Sequence, residues 1–235
     1  MWDKKTDNSA KLVYRRDVST FQTVEELWGT SENNLYGVGN ESLIVHYDGR
    51  RWRRIESGVD VDLFSISGTP DSQVVWIAGV KLPTEYGVIL QVRTDQSVET
   101  LFNADRPLFG PGDDHIHSTA VWLNEKFGYG AYAGLDDTRL VRHRLGAYDK
   151  DFRVLHTEPQ GAIRCIDGNG ANDWFAVGTR DVVLHYNGVS MKKYFRWPTW
   201  DIRYYSVDVK GDMVAACSIF FTRPNAVLLL GKRKK

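Results

Sequence analysis

Residues 27–52 read LWGTSENNLYGVGNESLIVHYDGRRW, and residues 166–191 read IDGNGANDWFAVGTRDVVLHYNGVSM. Aligned without a gap, each carries an aromatic-containing pair followed by small-Val-Gly: Leu35-Tyr36-Gly37-Val38-Gly39 against Trp174-Phe175-Ala176-Val177-Gly178. Each then carries aliphatic-His-Tyr-Asp/Asn-Gly: Val45-His46-Tyr47-Asp48-Gly49 against Leu184-His185-Tyr186-Asn187-Gly188. A phrase of this length met twice in 235 residues signals a repeat architecture.

Weaker copies fill the space between. Leu63 to Gly68 echoes Leu27-Trp28-Gly29, and Val75-Trp76-Ile77-Ala78-Gly79 echoes Tyr36 to Gly39. Ala120-Val121-Trp122 with Phe127 to Gly134 gives a third unit, and Tyr205 to Asp208 with Met213 to Cys217 a fifth. Anchored on Gly39, Gly79, Gly134, Gly178 and Ala216, the spacings are 40, 55, 44 and 38. A unit near forty residues with four short strands is a β-propeller blade.

In the first unit, alternation and β-branched or aromatic residues predict strands at 25–29, 34–39, 42–47 and 51–56. Asp48-Gly49 and Asn187-Gly188 supply turns, because these residues tolerate positive φ. No stretch has helical periodicity. The last unit, with strands at 202–209, 212–218 and 225–231, is one strand short, while residues 10–16 form an orphan strand ahead of the first unit. The expectation is an all-β, five-bladed propeller of four-stranded antiparallel blades. Its blades lie near 25–60, 61–105, 116–158, 160–196 and 200–233, and strand 10–16 closes the ring as the outer strand of blade 5. Closure removes open sheet edges. The rival is a piece of a larger propeller, and the orphan strand argues against it.

The pattern WG-[ST]-x-x-x-aromatic-x-V-G followed by [IVL]-H-Y-[DN]-G-x-x-W resembles a bacterial propeller repeat of secreted and surface proteins. Trp28 to Trp52 match it well; in the second copy Asp167-Gly168 replaces Trp-Gly and Met191 replaces the final Trp. The size is similar to the five-bladed tachylectin-type lectins, without a shared motif. The Asp-box of sialidases and the WD signature are absent.

Thirty basic residues balance thirty acidic ones, so there is no global steering toward nucleic acid or an anionic membrane. No apolar run is long enough for a membrane helix, and Met1-Trp2-Asp3-Lys4-Lys5 is not a signal peptide. The reading is a soluble cytoplasmic monomer, or a secreted or surface protein if a leader has been removed. Cys165 and Cys217 fall in strands of neighbouring blades and are expected as buried free thiols rather than a disulfide.

In a propeller the outer-to-inner connections and the second-to-third-strand hairpins share one end of the ring. Here that end collects residues 80–86, the sixteen-residue insertion 103–118, and residues 195–201 and 219–225. Tyr86, Arg106, Phe109, Trp197, Trp200, Phe220, Phe221 and Arg223 would share this rim. Aromatics with arginine are the composition of a protein-binding hot spot, and equally of a sugar-stacking site. Asp113, His115 and His117 are weak metal candidates; polar loops of this kind are common without metal. His46 and His185 recur at equal positions, which argues for hydrogen-bonded structure over catalysis. Trp28, Trp76 and Trp122 are expected between blades. Arg50-Arg51-Trp52-Arg53-Arg54 alternates along an outer strand, where charge deters edge pairing.

No nucleophile elbow, phosphate-binding glycine loop or zinc spacing is present. The leading expectation is a non-enzymatic binding scaffold for a protein partner, without cofactor. The alternatives are a lectin with one asymmetric glycan site and a glycoside-type hydrolase.

Overall fold

The structure, a computed structural model, describes residues 22–81, 86–103, 117–133, 137–146, 152–159, 161–194, 202–220 and 225–233. The expected closing strand at 10–16 lies outside these residues. The described chain is all β, and its sheets form a five-bladed propeller.

Blade 1 holds β1 (Val24–Ser31), β2 (Asn34–Gly39), β3 (Leu43–Tyr47) and β4 (Trp52–Arg54). Blade 2 holds β5 (Asp62–Gly68), β6 (Val74–Lys81), β7 (Tyr86–Arg93) and β8 (Val98–Asn103). Blade 3 holds β9 (His117–Leu123), β10 (Phe127–Ala133), β11 (Asp137–Arg144) and β12 (Arg153–Pro159). Blade 4 holds β13 (Ile163–Gly170), β14 (Asp173–Gly178), β15 (Val183–Tyr186) and β16 (Met191–Lys193). Blade 5 has three strands among the described residues: β17 (Ile202–Lys210), β18 (Met213–Phe220) and β19 (Ala226–Lys232). Every sheet runs in sequence order from its innermost strand outward, and every pairing is antiparallel.

The repeated phrase has local causes. The Asp48 carboxylate accepts the backbone N–H groups of Arg50 and Arg51, both at 2.9 Å, and Gly49 takes φ 87°. The Asn187 side chain accepts from Val189 and Ser190 at 3.0 and 2.8 Å, with Gly188 at φ 91°. One side-chain oxygen thus closes each outer hairpin. The two histidines are structural, as their recurrence implied. His46 lies 2.8 Å from Asn34 Oδ1 and stacks on Tyr36, while His185 lies 3.0 Å from Asp173 Oδ1 and stacks on Phe175.

All five innermost strands carry a β-bulge at the same place. The skipped residues are Glu25, Phe64, Thr119, Arg164 and Tyr205. The bulge aligns the blades residue by residue and shows that Tyr132 and Ser218, not Gly134 and Ala216, correspond to Gly39. Gly134 and Ala216 are each two residues from the equivalent position, while Gly39, Gly79 and Gly178 correspond as expected. A two-residue slip keeps every side chain on its own face, so the alternation could not reveal it.

Blades pack face to face through four buried clusters, one for each junction from blade 1 to blade 5. Trp28 lies across Gly68 of blade 2, and Trp76 lies across Gly128 of blade 3; a Cβ at either glycine would collide with the indole. These tryptophans are therefore inter-blade packing. Corresponding positions in the middle sheet layer are Ile44, Ile89, Leu140, Val183 and Leu228. The first four are at most 5% exposed, whereas Leu228 is 63% exposed. Blade 5 turns this face away from blade 4, toward blade 1. Cys217 sits on it and is exposed, which corrects the expectation of two buried thiols. Cys165 is half-buried, and desolvation pushes its thiol up to about 11.

The contrast is directly measurable. Leu140→Ala should cost about 2–5 kcal/mol by the cavity it leaves, while Leu228→Ala, at the same place in its blade, should stay within about 0.5 kcal/mol. Urea unfolding of the two variants checks this, and equal losses would contradict it.

Candidate functional site

The innermost strands join neighbouring blades by a polar ladder. A side chain of one blade accepts a backbone N–H from the next blade's inner strand. Ile66 N–H donates to Glu26 at 2.7 Å, Val121 N–H to Ser65 at 3.2 Å, and Leu123 N–H to Ser67 at 3.0 Å. Val209 N–H donates to Asp167 at 2.7 Å and Gly211 N–H to Asn169 at 2.8 Å. Measured from the bulge, the acceptors occupy the first, third and fifth positions and the donors the second, fourth and sixth. Burial pushes the Glu26 and Asp167 carboxyls up, and these N–H bonds offset only part of it.

Toward the outside of the ring, blades 4 and 5 part to form a cleft of about 660 Å³. Its floor is Phe175 and Val183 from blade 4 and Tyr204, Val214 and Leu229 from blade 5. Tyr194 stands half-open at its outer wall, and Met213 at the end nearest the β17–β18 turn. Asp173, Lys192, Asp212 and Arg233 form a charged rim, with the His185 imidazole beside them. Asp173 is the hub of that rim, with Arg233 at 2.6 Å, Asn169 at 2.7 Å and His185 at 3.0 Å. Partial burial alone would raise its carboxyl, but these hydrogen bonds and the guanidinium outweigh burial and hold it below the usual range.

The cleft has a simple origin. In the earlier junctions an outer-strand side chain plugs this space: Val98 of β8 packs against the blade 1–2 cluster and Met191 of β16 against the blade 3–4 cluster. Blade 5 has no fourth strand among the described residues, so β19 forms its outer edge beside the opening.

The rim expected from sequence is described only in part. Arg106, Phe109, Asp113, His115, Trp197, Trp200, Phe221 and Arg223 lie outside the described residues. Tyr86 begins β7 and His117 begins β9. Phe220 ends β18, half-buried against the blade 4–5 cluster. Strand order places the flanks of all four irregular segments at one end of the ring. Among the described residues, no group of three His, Cys, Asp or Glu side chains is placed to hold a metal ion. No helix is long and apolar enough to cross a membrane. The Arg53–Asp48 contact at 2.9 Å and the Arg54–Glu56 contact at 3.5 Å place two of the clustered arginines beside local carboxylates. The cleft residues Tyr194, Tyr204, Met213 and Leu229 escaped the sequence reading. The one signal pointing to them was the strand missing from the last repeat.

No family model and no curated protein matches the chain. Solved structures do match. YCF48 bound to a D1 peptide is 15% identical with a TM-score of 0.57, over 90% of this chain and 68% of that one. A chain of a nidogen–laminin complex is 9% identical with a TM-score of 0.62, over 90% of this chain and 81% of that one. The periplasmic gluconolactonase PpgL of Pseudomonas aeruginosa is 14% identical with a TM-score of 0.53, over 79% of this chain and 62% of that one. At these identities the likeness shows the fold alone, and that fold hosts both enzymes and binding proteins.

The buried carboxylates make stability pH-dependent in a defined sense. A carboxyl whose folded-state pKa is raised binds its proton more tightly folded than unfolded. Its contribution therefore declines as pH rises from the ordinary carboxylate range through the raised value. Glu26→Gln with Asp167→Asn keeps an acceptor oxygen at each site and removes this titration. The double variant should gain stability relative to the parent as pH rises from about 4 to 8, read from urea midpoints. Parallel curves would contradict the assignment.

Proposed function

We propose that the chain is a non-enzymatic binding module whose ligand is an extended segment of a partner protein, held in the cleft between blades 4 and 5. The observation that carries this reading is the coincidence, in one groove, of an aromatic and aliphatic floor, a charged rim and a strand, β19, that has no outer neighbour among the described residues. An added strand gains main-chain hydrogen bonds from β19, and its alternate side chains drop into the floor. Two matched structures, YCF48 with its D1 peptide and the nidogen–laminin complex, are propellers engaged with polypeptide partners. The loop-rich end flanked by Lys81, Asn103 and Phe220 remains the second surface of the module.

Selection from a displayed random-heptapeptide library tests the reading. Enriched peptides should carry apolar residues at every second position. Tyr194→Ala with Met213→Ala, both partly exposed in the cleft wall, should lower their affinity at least about tenfold with little change in melting temperature. Enrichment without alternation, or affinity indifferent to the double substitution, would contradict it.

A further inference from the structure

The bulge shared by the five inner strands does more than set the register. A bulge re-aims the side chain of its extra residue. Here the extra residues lie near the start of each inner strand, at the end of the ring where the chain enters from the irregular segments. In blade 2, Phe64 is 40% exposed between Leu63 and Ser65, which are both buried. In blade 4, Arg164 is exposed between buried Ile163 and half-buried Cys165. Both faces of these two blades are covered by neighbouring blades, so the side left open is the axis. Glu25 of blade 1 and Tyr205 of blade 5 are exposed at the same position. The Arg164 guanidinium lies 5.9 Å from the centre of the Tyr205 ring, so bulge residues of adjacent blades meet at the channel mouth.

This collar carries one charge of each sign, held apart. Glu25 accepts from Thr23 Oγ1 at 2.6 Å, and Arg164 has the Tyr205 ring beside it. Among the described residues no ion pair joins Glu25 to Arg164. Yet their walls face each other across a narrow channel. Desolvation is the main cause of the raised Cys165 thiol, and the Glu26 carboxylate of blade 1 adds to it. Cys165 follows Arg164 in the chain and Glu26 follows Glu25. Round the ring from blade 4, the order is therefore guanidinium, phenol ring, carboxylate and phenyl ring.

We propose that this channel mouth binds a small zwitterion, with its carboxylate on Arg164, its cation on Glu25 and an apolar stem beside the Tyr205 and Phe64 rings. A guanidinium takes a carboxylate through two parallel N–H groups. A carboxylate next to an aromatic face takes an ammonium or guanidinium group. A ligand with negative charge alone meets Glu25 as a repulsive neighbour, and one with positive charge alone meets Arg164, so the collar selects for both charges on one molecule. The site is separate from the cleft, which opens toward the outside of the ring.

Straight-chain ω-amino acids, from β-alanine through aminocaproate to aminocaprylate, serve as a ruler for the gap between the two charges. Titration calorimetry on the full chain reads their affinity. It should peak at one chain length, and the amine alone or the carboxylate alone of that length should bind at least about tenfold more weakly. Arg164→Gln and Glu25→Gln should each weaken the best zwitterion at least about tenfold. The melting temperature without ligand should stay unchanged, because both side chains are exposed. Three results would overturn the proposal: no member binding at millimolar concentration, equal binding of the amine or the carboxylate alone, or an affinity indifferent to both substitutions.

Discussion

The interaction on which the structure depends is the hydrogen bond from an inner-strand N–H of one blade to a side chain of the blade before it. Inner strands are sheet edges, and their unpaired N–H groups face the crowded axis of the ring, where each must find a partner. Glu26, Ser65, Ser67, Asp167 and Asn169 supply those partners across three junctions. A bonded pair of this kind that includes a charged group is worth about 1.5–3 kcal/mol net, and it fixes the height of one blade against the next. Apolar faces alone could slide by a two-residue step without exposing anything; the ladder removes that freedom.

The ladder explains why buried carboxylates are kept in the ring at all. Glu26 and Asp167 are driven toward their protonated forms by burial, yet each holds a backbone N–H at 2.7 Å. At the blade 3–4 junction Ala120 stands at the first ladder position and has no acceptor. There Trp122, Tyr129 and Trp174 form a continuous run of tilted rings, with adjacent centroids 5.2 Å apart, and packing carries the contact.

Much of this architecture was legible in the sequence. The doubled phrase revealed blades 1 and 4, the Asp-Gly and Asn-Gly turns sit where they were placed, and the recurring histidines are structural. The shared bulge was not legible, because a skipped residue in an otherwise alternating strand looks like noise. Glu25, Phe64, Thr119, Arg164 and Tyr205 have nothing in common chemically. Nor was the exposure of blade 5 legible: Leu228 and Leu230 sit in an apolar run like those of buried strands, and they are exposed where no facing sheet covers them among the described residues. The cleft arose in the same way, from a strand that the last blade lacks among the described residues, so its lining residues carry no motif.

Amide hydrogen exchange measured residue by residue tests the central claim most directly. The ladder predicts that the amides of Ile66, Val121, Leu123 and Val209 exchange only with global unfolding. The Leu27 amide, at the same place in its own strand but with no ladder acceptor among the described residues, should exchange orders of magnitude faster. A Leu27 amide as slow as that of Ile66, or a Val209 amide as fast as that of Leu27, would contradict the account.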